Sequence, residues 1–202
     1  MIKTAKIALI FPERKQTSSV APRQSDSPAL WVAGPSALIE QSPIGLFCSS
    51  QCPGSIVLKT FDAIAKMRDE GKVLMGGFHS VMEWECLRIL LRGPQPLIWV
   101  PARSILRMRL KPELQPAFRD GRLLILSPFA PTPQNARVTA ALAHQRNRFV
   151  GALADRIFVP HAAPGSRTLT VCRELSDRGK QIVSIDDPLN DELFRLPNVV
   201  SL

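Results

Sequence analysis

The 202-residue chain concentrates its chemistry-bearing side chains between His144 and Thr170, in the stretch HQRNRFVGALADRIFVPHAAPGSRTLT. A basic triplet, Arg146-Asn147-Arg148, sits among Phe149, Val150, Leu153 and Ala154, apolar residues at helical spacing. The apolar run Arg156-Ile157-Phe158-Val159, with Asp155 in the turn before it, reads as a buried strand. Pro164-Gly165-Ser166-Arg167-Thr168 then leaves the strand's carboxyl end and opens another helix. Free backbone N–H groups and the helix dipole at such an end favour an anion, so the order of parts describes a phosphate-binding geometry. The arginines fit two roles, phosphate contacts or a solvated helix face. Residues two apart on a helix lie about 200° apart, so one of Arg146 and Arg148 is expected to face the crevice and the other a structural partner.

Two more loops place small and polar residues after strands. Ser49-Ser50 follows an apolar run at 44–48 and precedes a helix at 55–69, whose Ile56, Val57, Phe61, Ile64, Ala65 and Met67 recur at three- and four-residue steps. These hydroxyls suit a ligand oxygen or a helix cap equally well. Gly76-Gly77-Phe78-His79-Ser80 turns from a strand at 72–75 into a helix at 81–92. The diglycine lets backbone approach a ligand, His79 stands where a strand-end residue faces the crevice, and Glu83 lies in the helix's first turn, where the dipole favours an acid that caps or pairs.

With these motifs in order, the chain resembles the Rossmann-like core of the DNA-processing DprA/Smf family, within the wider superfamily that includes the LOG nucleotide-binding proteins. That family carries Arg-Asn-Arg, a strand, then Ser-Gly-Ser with a nearby Thr; Gly76-Gly77 stands at its Ser-Gly and Glu83 at its Asp. The likeness covers residues 29–185. It departs from the family where the first loop reads Cys48-Ser49-Ser50 without the usual arginine, and at Pro164 in place of a serine. The resemblance implies a binding protein for a phosphate-bearing ligand, single-stranded DNA foremost, acting in DNA processing and recombination beside a RecA-like partner, with a homodimer compatible with it. The implied binding set is Ser49, Ser50, Gly76, Gly77, His79, Ser80, Glu83, Arg146, Asn147, Arg148, Gly165, Ser166, Arg167 and Thr168. Two other readings share the core: a small-nucleotide sensor, and a LOG-like nucleotide phosphoribohydrolase. LOG enzymes place a catalytic Glu three residues after the threonine of Pro-Gly-Gly-x-Gly-Thr. Val171 occupies that position here, so no catalytic residue is expected, and no cofactor or metal.

The elements that must position these residues alternate as strand and helix, which predicts an α/β fold: a Rossmann-like, mostly parallel sheet with helices on both faces, in a single domain. Further strands are expected at 96–100, 123–127 and 181–185, with helices at 112–120 and 138–154. In such sheets the ligand crevice lies outside the strands' carboxyl ends, and the loops at Ser49-Ser50, Gly76-Gly77 and Gly165-Ser166 all belong to that edge. Residues 1–28 read as a strand and Pro/Ser/Gln-rich arm, 29–187 as the core and 188–202 as a tail. Between 102 and 111 basic and apolar residues alternate; as a strand this would align Arg103, Arg107 and Arg109 on one face, at the site or on a solvated edge.

Composition sets the outer bounds. The net charge of +9 falls within residues 103–180, which hold 14 Lys and Arg against five Asp and Glu. That basic half suits a polyanion, or a merely soluble surface. Four cysteines without Cys-x-x-Cys or histidine spacing read as free thiols of a reducing cytoplasm. The apolar start is broken by Pro12 and lacks a cleavage site, and no apolar run of membrane-spanning length follows, so a cytoplasmic protein is expected.

Overall fold

Strands buried on both faces must be apolar at every position rather than at alternate ones, and Leu97-Ile98-Trp99 and Leu123-Leu124-Ile125-Leu126 have that character, with every side chain inaccessible or nearly so. The computed structural model describes residues 5–8, 29–130 and 137–202. Seven parallel strands form its centre: β3 (Ile44–Leu46), β4 (Leu74–Gly76), β5 (Leu97–Trp99), β6 (Leu123–Ser127), β7 (Arg156–Val159), β8 (Ile182–Ser184) and β9 (Val199–Ser201). Two antiparallel strands, β2 (Ala29–Ala33) on β6 and β1 (Ala5–Ala8) on β2, complete the order β1-β2-β6-β5-β4-β3-β7-β8-β9.

The chain starts its parallel part at β3, winds outward to β6, then returns to the other side of β3 as β7. The switch point therefore lies between β3 and β7, where a doubly wound sheet opens its crevice. Helices α1 (Gly54–Asp69), α2 (Val81–Leu91) and α3 (Gln115–Arg119) cover one face, burying Ile56, Ile64, Leu87, Leu90 and Ala117 against Leu46, Leu74, Leu97 and Phe158. Helices α4 (Ala140–Leu153) and α5 (Arg167–Asp177), with Leu193 of the short α6 (Asp191–Phe194), cover the other, against Met75, Ile98, Leu124, Ile157 and Ile182. The expected α/β sheet with helices on both faces is thus the observed fold.

Two expectations are corrected. Residues 102–111 form no strand. Ile105 and Met108, three apart, are the buried anchors, Met108 N–H donates to Ile105 C=O at 3.1 Å, and Arg107 takes a left-handed turn at φ 58°. The segment leaves β5 as an irregular loop lying on the α1/α2 side of the core, so period-two alternation does not apply, and Arg103, Arg107 and Arg109 are exposed without sharing a strand face. The second correction concerns the end of the regular core, expected at Asp187. Val199–Ser201 pairs in parallel with β8, because β8 leaves an edge of unpaired backbone groups that the last residues satisfy. Within residues 1–28, expected to hold a strand and an arm, Ala5–Ala8 forms β1, and the arm at 9–28 lies outside the described residues.

Candidate functional site

At the switch point the loops after β3 and β7 are stitched together by two serines 117 positions apart. Ser49 N–H donates to His161 C=O at 3.0 Å, and Ser49 Oγ accepts from Ala163 N–H at 3.0 Å while donating to Ser166 Oγ at 3.1 Å. Ser166 in turn caps α5, its Oγ accepting from Leu169 N–H at 3.1 Å. Helix geometry leaves the first-turn N–H groups of Arg167 and Thr168 directed out of the helix end. Gly165 reaches φ +68° ahead of that end, in open space, which is the left-handed turn a Cβ would strain. Pro164, Gly165 and Arg167 are exposed, as are Ser50 and His79 on the neighbouring loops. Of the two roles left open for Ser49-Ser50, the capping of α1 is not taken, since α1 has no side-chain cap at Pro53; Ser49 instead ties its loop to the end of α5. Ser166→Ala, which removes the cap, is expected to cost about 1 kcal/mol of stability in urea unfolding.

A second set of contacts ties the loop after β4 into this edge. Ser80 Oγ accepts from Glu83 N–H at 3.2 Å and caps α2. The Glu83 carboxylate, buried in α2's first turn, accepts from Cys48 N–H at 3.2 Å and His79 N–H at 2.8 Å, so one side chain holds two strand-end loops. Buried Phe78 adopts φ 45° between Gly77 and His79, a conformation rare for a bulky residue, and the next residue emerges to solvent.

Arg146 and Arg148 point to different neighbours, as the helix angle requires, and both neighbours are protein groups. Arg148, half exposed, lies with His144 against Glu174, at 3.4 and 3.2 Å, clasping α4 to α5. Arg146 is only 4% exposed. Its guanidinium runs over Gly77, so closely that a Cβ there would stand 0.9 Å from Nη1, and Nη1 donates to Val100 C=O at 3.3 Å. Trp99 Nε1 donates to Gly77 C=O at 3.1 Å from below. Burial pushes the Arg146 pKa down, and the nearby Glu83 charge opposes that. Arg146 Nε and Asn147 Oδ1 are buried without a hydrogen-bond partner. Arg146 therefore reaches the strand-end edge as a brace beneath it, linking the ends of β4 and β5, rather than as a solvent-facing cation.

Sequence reasoning missed His161 and Asn190. Asn190 Nδ2 donates to Pro160 C=O at 2.9 Å and Ile185 C=O at 3.0 Å, and its Oδ1 meets buried His161 Nδ1 at 2.9 Å, locking the segment after β8 under the β7 end. The available signal was Asp187-Pro188, a cap followed by a helix-starting proline; Asp187 does cap that turn through Leu189 N–H and also pairs with Lys59 at 3.0 Å. Among the described residues no group of three or more His, Cys, Asp or Glu is placed to hold a metal ion, and no helix is long and apolar enough to cross a membrane.

Fold and edge together define a class: a doubly wound α/β module with a capped helix end and two serine-linked loops at its switch point. Within that class the fold is that of DNA processing protein A. The Helicobacter pylori protein, whose structure describes a single-stranded DNA binding mode, superposes with a TM-score of 0.70 at 18% identity, over 92% of this chain and 89% of its own. DNA processing protein A from Streptococcus pneumoniae gives 0.68 at 18% identity over 87% of this chain; the match spans 64% of that chain's length. A molybdenum cofactor binding protein from Rippkaea orientalis is more distant, at 0.54 and 15% identity, over 80% of this chain and 90% of its own. No protein-family model and no curated protein matches the sequence.

Proposed function

We propose that this protein binds a phosphate-bearing ligand, single-stranded DNA, at the carboxyl edge between β3 and β7, and serves DNA processing. The observation that carries the reading is the α5 end itself: the N–H groups of Arg167 and Thr168, the exposed Arg167 side chain and the Ser49–Ser166 link all meet at the switch point. In this reading Ser50, His79 and Gly165 line the approach, Gly76, Gly77, Ser80, Glu83 and Arg146 hold the loops, and Asn147 and Arg148 stand on the neighbouring α4. The likeness in fold to a protein with a single-stranded DNA binding mode supports a strand rather than a free nucleotide. A recombination role beside a RecA-like partner, in the cytoplasm, goes with this reading.

Binding rather than catalysis is the proposed activity. Val171 stands where a LOG-type enzyme carries its glutamate, and its side chain is 1% exposed in the core between sheet and α5. General acid–base help is worth about 10²–10⁴-fold, so base release from nucleoside monophosphates is expected to stay at the no-enzyme level.

The deciding experiment titrates the full chain with fluorescent oligo(dT) across a salt series, with free nucleotides as competitors. Affinity is expected to fall with salt, and Arg167→Ala to lower the slope of log K against log[salt] by about 0.7, one phosphate contact on a single strand. Tight binding of a mononucleotide with none of the oligonucleotide would replace this reading by the small-nucleotide sensor.

A further inference from the structure

The switch point holds a buried imidazole with one nitrogen unused. His161, just past the end of β7, is 4% exposed, and the network around Asn190 fixes its tautomer. Asn190 Nδ2 donates to Pro160 C=O at 2.9 Å, Ile185 C=O at 3.0 Å and Ser184 Oγ at 3.2 Å, while Ser184 Oγ directs its own proton to Val159 C=O at 2.7 Å. The Asn190 oxygen is therefore what meets His161 Nδ1 at 2.9 Å, and Nδ1 carries the hydrogen. Nε2 has a bare lone pair in the neutral ring and a second N–H in the charged one. No described residue meets it, and it is not sealed in the core. The backbone beside the ring leads to the α5 end: His161 C=O accepts from Ser49 N–H at 3.0 Å, and Ser49 Oγ donates to Ser166 Oγ, the α5 cap, at 3.1 Å. An unpartnered ring nitrogen thus accompanies a helix end that favours an anion. We propose, resting on the function proposed for this edge, that His161 is a ligand-binding residue: protonated at Nε2, it donates to a phosphate of the bound strand, so that binding takes up a proton.

The direction of the linkage follows from the chemistry of the ring. A lone pair at Nε2 repels a phosphate oxygen, whereas Nε2–H donates a charge-assisted hydrogen bond to it, so the anion selects the protonated form. Protonation leaves the Asn190 contact intact, because Nδ1–H donates in both forms. The proton comes from solvent and returns to it on release. Of the charged groups on the surrounding elements, Asp187 acts on the ring: the Lys59 hydrogen bond first, then Leu189 N–H, and also the His161 charge hold its carboxyl below the usual range. Lys59 of α1 pairs with Asp187 at 3.0 Å, Asp186 is exposed, and Glu192 of α6, next to Asp191, pairs with Arg173 of α5 at 2.6 Å. Arg167 leads α5 and is exposed, and Ser49, Ser50 and Gln51 of the loop after β3 carry no charge. The acid that acts on the ring is already paired, which leaves the ligand phosphate to hold the new proton. Affinity is then greatest in acid and is lost as pH rises and the ring gives up that proton, by at most about tenfold per pH unit for one proton.

The test titrates the full chain with fluorescent oligo(dT) at fixed salt between about pH 6 and about pH 8, the range in which histidine changes charge. Wild-type affinity is expected to be about tenfold higher at the acid end, and His161→Gln, which stays neutral throughout, to lose about tenfold there and about twofold or less at the other end. The same property is read without any variant by nitrogen NMR of the wild-type protein labelled in histidine, where His161 is resolved from His79 and His144. Its ring is expected to be the Nδ1–H form when neutral, and its protonation midpoint to rise by about one pH unit when oligo(dT) saturates the protein, the counterpart of a tenfold preference. Oligo(dT) binding that leaves the His161 midpoint in place, or that keeps its full pH dependence in a folded His161→Gln, overturns this inference and leaves the proposed function standing. Absence of oligo(dT) binding at every pH overturns both.

Discussion

Gly77→Ala is expected to destabilise the protein by about 3 kcal/mol in the wild-type background and by under about 1 kcal/mol when Arg146 is already alanine. Gly77 is not in a left-handed conformation, so backbone strain is not the reason. The three atoms nearest to an added Cβ all belong to the Arg146 guanidinium, at 0.9, 1.9 and 2.6 Å. A methyl group there must expel a buried cation from its place over the strand end, breaking its bond to Val100 C=O. Loss of a charged hydrogen bond costs about 1.5–3 kcal/mol and overpacking about 1–3 kcal/mol. Arg146→Ala removes the obstacle at a cost of its own, about 2–3 kcal/mol, because Val100 C=O loses its donor and Glu83 its nearby positive charge. A double-mutant cycle by urea denaturation measures the coupling. If Gly77→Ala costs the same in both backgrounds, the clash lies with the backbone and the account of Arg146 is wrong.

Glu83→Ala is expected to cost about 3–4 kcal/mol, since a single buried carboxylate accepts both Cys48 N–H and His79 N–H and each hydrogen bond to a charged group contributes about 1.5–3 kcal/mol. Glu83→Gln should cost roughly half of that, because an amide offers one acceptor oxygen and sets an NH₂ against the second N–H. The effect has a local signature. Hydrogen exchange at the Cys48 and His79 amides should speed up relative to the centre of β6, as the loops after β3 and β4 open ahead of the core. Unchanged exchange at both amides would show that these N–H groups have other partners.

Both predictions concern side chains whose roles are invisible in the neighbourhood of their own residue. Glu83 reads in sequence as a first-turn acid that caps or pairs, and the dipole argument for it is sound. Its bond to Cys48 joins residues 35 positions apart. The Arg-Asn-Arg triplet reads as charge on a helix, and the 200° argument separates its two arginines without saying where either leads. Only the packing of α4 over the ends of β4 and β5 sends one across Gly77 and the other to Glu174.

What the sequence by itself determined is the alternation of strand and helix, the sheet's parallel character and the edge where its loops converge. Those are local properties: apolar runs mark strands covered on both faces, three- and four-residue spacing marks helices, and glycine and serine mark the turns between them. The tertiary structure alone decided which polar groups meet: Ser49 with Ser166, Glu83 with two loops, Asn190 with His161. It also decided that 102–111 bends around Ile105 and Met108 rather than extending, and that the last residues add β9. A hydrogen bond across 117 residues leaves no periodic trace, because its partners are brought together by the burial of other side chains, and a short edge strand forms only once a neighbouring strand offers unpaired backbone groups to satisfy.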